Sequence, residues 1–165
     1  MAGRRSAAAG MKLDFQFLAD RPEDVPQVIR WWHSKWADRM GPDIDKLTGQ
    51  LRAALRRDDL PLDIVAVLDD EMIGTAVLKR HEMKEVYPQR LYWLGSVFVA
   101  PEYRGRGVAS ALASRVVDMA RERGLPHLYL QTEHPDGGLY ADLGWEPVER
   151  LWYKNTDTLL MLKRL

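Results

Sequence analysis

The chain has 165 residues, 46% hydrophobic and 29% charged, with 24 Lys plus Arg against 24 Asp plus Glu. That length fits one domain able to bury a core without a metal or disulfide staple, and the balanced charge argues against a protein held to nucleic acid mainly through phosphates. The lack of cysteine excludes a disulfide scaffold, thiolate zinc sites and a cysteine nucleophile, and no apolar run nears the ~20 residues of a membrane span, so a soluble cytoplasmic protein is expected.

Residues 1–10 (MAGRRSAAAG) read as a disordered tail without the apolar middle of a secretory signal, and Met11 is a candidate start. Residues 11–165 then form one domain. Leu13, Phe15 and Phe17 alternate with Asp14 and Gln16, which predicts a strand over 12–18. Asp20, with Pro22 and Glu23 behind it, predicts the cap of a helix whose stripe is Val25, Ile29, Trp32 and Trp36. A second helix follows Gly41-Pro42-Asp43, with Ile44, Leu47, Leu51 and Leu55 on its apolar face.

Residues 62–68 and 72–78 flank Asp69-Asp70-Glu71, a hairpin signal. Residues 80–90 are polar and read as strand end plus loop. Residues 91–99 (LYWLGSVFV) are nearly continuous apolar, as in a strand covered on both faces, and Gly95-Ser96 predicts a bulge inside it. Val108, Leu112, Val116 and Met119 mark a helix stopped by Gly124-Leu125-Pro126. A strand at 127–132, a short helix at 136–143 and closing strands at 145–153 and 158–162 follow, the last two joined through residues 154–157. The order describes a mixed α/β domain around one sheet.

The most informative stretch is 97–119, where an apolar strand meets a Gly-rich loop that opens directly into a helix. Free N–H groups at a helix start make an anion site. The glycines of Arg104-Gly105-Arg106-Gly107-Val108-Ala109 let backbone N–H groups turn toward phosphate oxygens, Ala109 leaves room over the first turn, and Arg104 and Arg106 add charge. No lysine follows Gly107, so a Walker A loop does not fit. A Rossmann loop should follow the first strand, and this one follows the fourth.

VFVAPEYRGRGVASALASRVVDMARERG resembles the acetyl-CoA motif of the GNAT superfamily of N-acetyltransferases, Arg/Gln-x-x-Gly-x-Gly/Ala, with Arg104, Gly107 and Ala109 in the defined positions. Downstream, Leu139-Tyr140-Ala141-Asp142-Leu143-Gly144-Trp145 resembles that family's Phe-Tyr-x-x-Leu-Gly-Phe element. The resemblance implies an α+β fold: a single mixed, mostly antiparallel sheet flanked by helices. It also implies acetyl transfer from acetyl-CoA to a primary amine by direct attack, with no metal. N–H groups from Arg104, Gly105, Arg106, Gly107, Val108 and Ala109 would hold the diphosphate. Pantetheine would insert between the fourth and fifth strands, against Val97 and Val99, with the thioester near Phe98 and Val99.

Tyr140 stands at the family's tyrosine and is expected to donate a proton to the leaving sulfur. Many members carry a glutamate on the fourth strand or nearby, but 91–99 contains no carboxylate or histidine. The candidates for the base are Glu82 and His81 near the third strand's end, Glu133 or His134 after the fifth, or a water relay. Among residue types, histidine titrates nearest neutral pH. The loop 131–136 (QTEHPD) departs from the asparagine many relatives carry there.

The first two helices and the closing hairpin are expected to line the acceptor site. Trp32 and Trp36 are expected in the core; Trp31, roughly a hundred degrees round the helix, is expected with His33 and Lys35 at the pocket's edge. Trp93, Trp145, Trp152 and Tyr153 read as core or sheet-edge residues. An amine acceptor favours acidic walls, for which Glu82, Glu85, Glu133 and Asp136 are available. The expected partners are a small-molecule or peptide amine and, from the family's habit, a second copy of the chain, with no nucleic acid and no membrane. Two other readings stay open: a non-catalytic acyl-CoA-binding module of this fold, and a nucleotide-phosphate binder.

Overall fold

A computed structural model describes residues 12–165. The expected tail and the Met11 start lie outside these residues. Seven strands form one sheet: β1 (Asp14–Phe17), β2 (Leu62–Leu68), β3 (Glu71–Lys79), β4 (Trp93–Val99), β5 (His127–Thr132), β6 (Glu146–Tyr153) and β7 (Thr156–Arg164), in the order β1-β2-β3-β4-β5-β7-β6. Four α-helices accompany it: α1 (Val25–Met40), α2 (Ile44–Ala54), α3 (Val108–Glu122) and α4 (Gly138–Asp142). Every neighbouring pair is antiparallel except β4 and β5. The fold is the mixed sheet with flanking helices that the sequence implies.

The two sides of the sheet are packed separately. On one, Leu112, Ala113 and Val116 of α3 are fully buried against Leu62, Ile73, Leu78 and Leu128. Burying each large aliphatic chain contributes about 1.5–3 kcal/mol. On the other, Val25, Val28 and Ile29 of α1 cover Val65, Val67 and Met72, and Ile44, Leu47 and Leu51 of α2 pack against this cluster partly buried.

The start of α1 differs from the sequence reading. The chain makes two 3-10 turns, Leu18–Asp20 and Pro22–Asp24, before α1 begins at Val25. A helix starting after Asp20 would put Pro26 in its interior, where the ring clashes and a hydrogen bond is lost. With the start at Val25, Pro26 falls in the first turn, where the missing N–H costs nothing. Asp20 instead accepts Arg57 Nε at 2.5 Å. Asp43 does cap α2, accepting the Lys46 N–H at 3.0 Å.

Both hairpin turns are tighter than expected. Asp69 and Asp70 (φ 51° and 64°) turn β2 into β3, and Lys154 and Asn155 (φ 47° and 61°) turn β6 into β7. Two successive left-handed residues match the twist of the flanking strands, so Glu71 and Thr156 are freed to pair. Trp93 and Trp145 are buried as expected, but Trp152 is 72% exposed, on an edge strand that pairs only with β7.

The predicted bulge in β4 is present. Phe98 pairs with Thr75 and Gly95 with Val77, which leaves one extra residue on β4, and Ser96 takes a φ of 51°. The Ser96 carbonyl accepts Thr75 Oγ1 (2.9 Å), which in turn accepts Trp32 Nε1 (2.9 Å). Trp32 thus ties α1 to the bulge. Further along, α1 kinks at Trp36 (φ −122°, ψ 30°). Trp36 is consequently not the core residue the stripe predicted; it is half-buried, edge-on to Phe98 at 6.4 Å.

Candidate active site

The loop between β4 and α3 is built to leave amides free. Gly105 and Gly107 sit at φ 76° and 82°, left-handed values that glycine adopts without strain. Gly107 is the N-cap of α3. Among the described residues, no acceptor takes the N–H of Gly105, Arg106, Gly107, Val108 or Ala109. The stretch is a concave run of donors at the positive end of a helix dipole.

Arg104 departs from its expected part in that cradle. Its N–H goes to the Pro101 carbonyl at 3.3 Å. Its Nε donates to the Val99 carbonyl at 2.9 Å, and its guanidinium lies over the Phe98 ring at 5.1 Å. The residue turns back onto β4 and fixes the strand's end, so the donor run starts at Gly105. Arg106 lies over the Tyr103 ring at 5.7 Å.

Beside the loop the sheet opens. β4 and β5 run parallel and share one rung, Trp93 with Tyr129, closed by the Tyr129 N–H to the Tyr92 carbonyl at 2.9 Å. Beyond it the two strands separate, and a cleft of about 1310 Å³ enters the gap. The Ala100 N–H bonds the Ile73 carbonyl on the β3 side. Backbone groups alternate along a strand, so Val99 and Val97 turn theirs toward the gap. Val97, Phe98 and Val99 all line the cleft, as do Gly105, Gly107, Val108 and Ala109.

Tyr140, on α4, also lines it. Its ring packs edge-on against Trp145 at 6.3 Å. Among the described residues its hydroxyl has no hydrogen-bond partner, so it is not a core tyrosine tied to backbone. Burial, and then the charge of Glu82, push its pKa up to about 12. A neutral phenol of that kind is a proton donor at physiological pH.

Glu82 comes from the loop between β3 and β4 yet lies on β4. Its Oε1 occupies the space that a side chain at Gly95 would fill. It accepts Lys79 Nζ at 3.0 Å, and its side chain is only 14% exposed. The strand without a carboxylate therefore has one supplied from outside, in the slot that Gly95 leaves open. Lys79 Nζ also lies 3.4 Å from Ser96 Oγ at the bulge.

The other base candidates sit differently. His134 lines the cleft but is exposed at its rim, against Gly138. His81 is outside the cleft, with Nδ1 buried and unpartnered among the described residues. Glu133 lines the cleft, 65% exposed and 3.9 Å from Arg39.

The far wall carries the largest correction. Trp31 lines the cleft as expected, stacked on Phe98 at 5.6 Å. His33 does not; its Nε2 meets the Gly41 carbonyl at 2.9 Å. Of the expected acidic wall, only Glu82 and Glu133 reach the cleft. Glu85 is engaged by the Tyr153 hydroxyl and by Lys154, and the Tyr153 bond above all lowers its pKa. Asp136 accepts the Gly138 N–H at 3.0 Å. Against the two acids stand Lys35, Arg39, Lys79, Arg104 and Lys154. The wall is basic.

A family model described as the acetyltransferase (GNAT) family matches residues 25–145. The chain belongs to the GNAT acetyltransferase family. It is an enzyme of that family, and the matched span holds the glycine loop, the gap and Tyr140. Solved structures share the fold at low identity. The ribosomal-protein-alanine N-acetyltransferase from Brucella melitensis is 20% identical, with a TM-score of 0.69 over 93% of this chain and 99% of that one. An aminoglycoside 6'-N-acetyltransferase complexed with coenzyme A is 16% identical, with a TM-score of 0.71 over 93% and 97%. The NatC complex bound to Gag peptide and CoA contains a chain 21% identical, with a TM-score of 0.67 over 94% and 99%. Among the described residues, no helix is long and apolar enough to cross a membrane.

Four cleft residues, Arg39, Lys79, Tyr153 and Lys154, belong to none of the sequence motifs. A signal for Arg39 exists: Trp31, Lys35 and Arg39 are four apart and continue one stripe of α1. Tyr153 and Lys154 look like an ordinary strand end, and only the return of the β6–β7 hairpin toward α1 brings them to the cleft.

Proposed function

We propose that this GNAT enzyme moves an acetyl group from acetyl-CoA to a primary amine by direct attack within a ternary complex. The observation that carries this reading is the one-rung splay of β4 from β5 beside the unpartnered amides of residues 105–109. A diphosphate fits the amide run, and an extended pantetheine fits the gap, where Val97 and Val99 offer backbone groups. Two solved structures of this fold contain coenzyme A, which supports coenzyme A as the ligand.

The roles then follow from position. Glu82 takes the proton of the incoming ammonium, directly or through a water, so that nitrogen has a lone pair. The nitrogen attacks the acetyl carbonyl carbon; the C–N bond forms, and the oxyanion is met by the Val99 N–H. The C–S bond breaks, and the thiolate takes its proton from the Tyr140 hydroxyl. The nitrogen's second proton passes to the Tyr140 oxygen, directly or through water, so that a neutral amide and a free thiol leave and Tyr140 is restored. Glu82 gives up its proton to solvent. No protein nucleophile is required, in keeping with a chain without cysteine. Glu82 is preferred to His134 because it lines the cleft with a side chain only 14% exposed and its charge reaches Tyr140, whereas His134 is exposed. Trp31 and Glu133 border the acceptor.

Thiol release from acetyl-CoA, measured with a panel of amines, tests the reading. The expected result is amine-dependent release, lowered about 100-fold or more in kcat by Glu82→Gln, with KM for acetyl-CoA little changed. Tight coenzyme A binding with no release for any amine would mark a non-catalytic binder. Equal affinity for ATP and coenzyme A would mark a nucleotide-phosphate site instead.

A further inference from the structure

The acceptor side of the cleft has a chemical character that the acetyl-transfer reading alone does not use. Lys35 and Arg39, on the C-terminal half of α1, both line it, and both lie near Glu133. Lys35 also feels the charge of Arg104, at the end of β4. Arg39, one turn on, lies over the ring of Tyr153 at 5.9 Å, on the hairpin side and away from the glycine loop. Arg39 is therefore placed for the acceptor rather than for the coenzyme.

Arg39 is also under-used. Its side chain is 20% exposed, yet among the described residues its guanidinium makes no hydrogen bond. The one carboxylate near it, Glu133, is 3.9 Å away and largely in solvent. A pair of that length, with one partner largely in solvent, contributes little. A guanidinium carries five donors in a planar fork suited to two carboxylate oxygens. Around it the field is positive. Lys35, Lys79, Arg104 and Lys154 line the same cleft, and Lys154 lies over the other contact of Arg39, the Tyr153 ring, at 5.3 Å. Burial lowers the pKa of Lys35, with Glu133 opposing and Arg104 adding to the shift. A purely cationic amine, such as a polyamine, would meet repulsion here.

We propose that the acceptor is a primary amine that also bears a carboxylate, and that Arg39 binds this carboxylate through its free fork. The inference rests on the acetyl-transfer reading and names its substrate class. The carboxylate belongs either to a free amino acid or to the first residues of a peptide; both present an amine and an anion a few bonds apart. The aromatic faces of Trp31, Trp36 and Tyr153 take the apolar remainder. Arg39 acts as a specificity-determining residue, and the amine end projects toward Glu82.

The experiment compares matched pairs by thiol release from acetyl-CoA. Each free amino acid is set against its carboxamide. Short peptides beginning with aspartate or glutamate are set against those beginning with asparagine or glutamine. Spermidine and an aminoglycoside complete the panel. The expected result is a preference of about tenfold or more in kcat/KM for the carboxylate member within one of the two sets, and the set that responds identifies the source of the carboxylate. Arg39→Gln then raises KM for that substrate about tenfold, leaves its amide and the KM for acetyl-CoA unmoved, and is partly rescued by Arg39→Lys. Equal rates within every pair, a preference for spermidine, or an Arg39→Gln loss falling equally on acid and amide overturns the proposal and leaves acetyl transfer standing. Release with no amine at all, despite bound coenzyme A, overturns both.

Discussion

The two ends of the cleft are made of different material. The end proposed for the coenzyme is backbone: amides of residues 105–109, left-handed glycines, and the edge of a bulged strand. The acceptor end is side chains gathered from α1, the loop 80–92, the loop after β5 and the β6–β7 hairpin. Backbone donors fixed at a helix start need only a short local pattern to form. A wall of side chains needs the whole chain to be folded first. The end proposed for the coenzyme is thus the kind of feature that a short motif describes, and the end proposed for the acceptor is not.

The sharpest way to break that contrast is Gly107→Asp. The carboxylate would sit among donors meant for phosphate, so affinity for coenzyme A should fall about a thousandfold, from lost charge-assisted bonds and added repulsion. Circular dichroism should stay unchanged, and titration calorimetry would check the affinity. Unaltered affinity would mean that the amides do not bind the coenzyme.

Tyr140→Phe comes next and touches the junction of the two ends. It should lower kcat about a hundredfold and leave coenzyme affinity within about twofold. Because burial pushes the Tyr140 pKa up to about 12, its proton stays in place through the alkaline range. No loss of kcat between pH 7 and 10 should come from this residue; a stopped-flow pH profile would reveal one if it did.

Gly95→Ala sharpens the role of Glu82 without removing it. The new methyl would occupy the position of Glu82 Oε1 and press on Lys79 Cε at 2.8 Å. Both are ends of flexible chains, so the fold should survive while the carboxylate shifts. A drop of about tenfold in kcat is expected, smaller than for Glu82→Gln, since the carboxyl group remains.

The smallest kinetic effect is expected for Asp63→Asn, on the sheet face that α1 and α2 cover. Asp63 is 5% exposed, and burial, offset in part by Lys79, raises its pKa to about 6 from an ordinary 3.8. The folded protein therefore holds this proton more tightly than the unfolded chain. The stabilisation is complete below about pH 4 and is lost as pH rises through about 6, at a cost of about 3 kcal/mol. Asp63→Asn should flatten the stability profile between pH 4 and 6 and raise Tm at pH 7.5 by several degrees. Matched thermal melts of the two proteins across that range would read it.

Legibility in the sequence follows the same division. Period-two runs, the Gly95-Ser96 bulge and the glycine loop are short-range patterns, and they give the element order, the sheet and the coenzyme end. The start of α1 is missed because Pro26 overrides an attractive cap at Asp20. Trp36 leaves the core because the helix kinks under it, which no periodicity records. Glu82 is one candidate among several in the sequence, since twelve residues, most of them in an irregular loop, separate it from the glycine it covers. The wall reads as acidic in the sequence and is basic in the structure, because Glu85 and Asp136 engage Tyr153 and the α4 turn, and Arg39 and Lys154 line the cleft instead.

Crystals of the protein grown with coenzyme A test the central claim most directly. The account predicts diphosphate oxygens within hydrogen-bonding distance of the N–H groups of residues 105–109, with the thiol arm lying between β4 and β5 near Tyr140. A coenzyme bound elsewhere, or strands β4 and β5 closed together with no ligand between them, would contradict it.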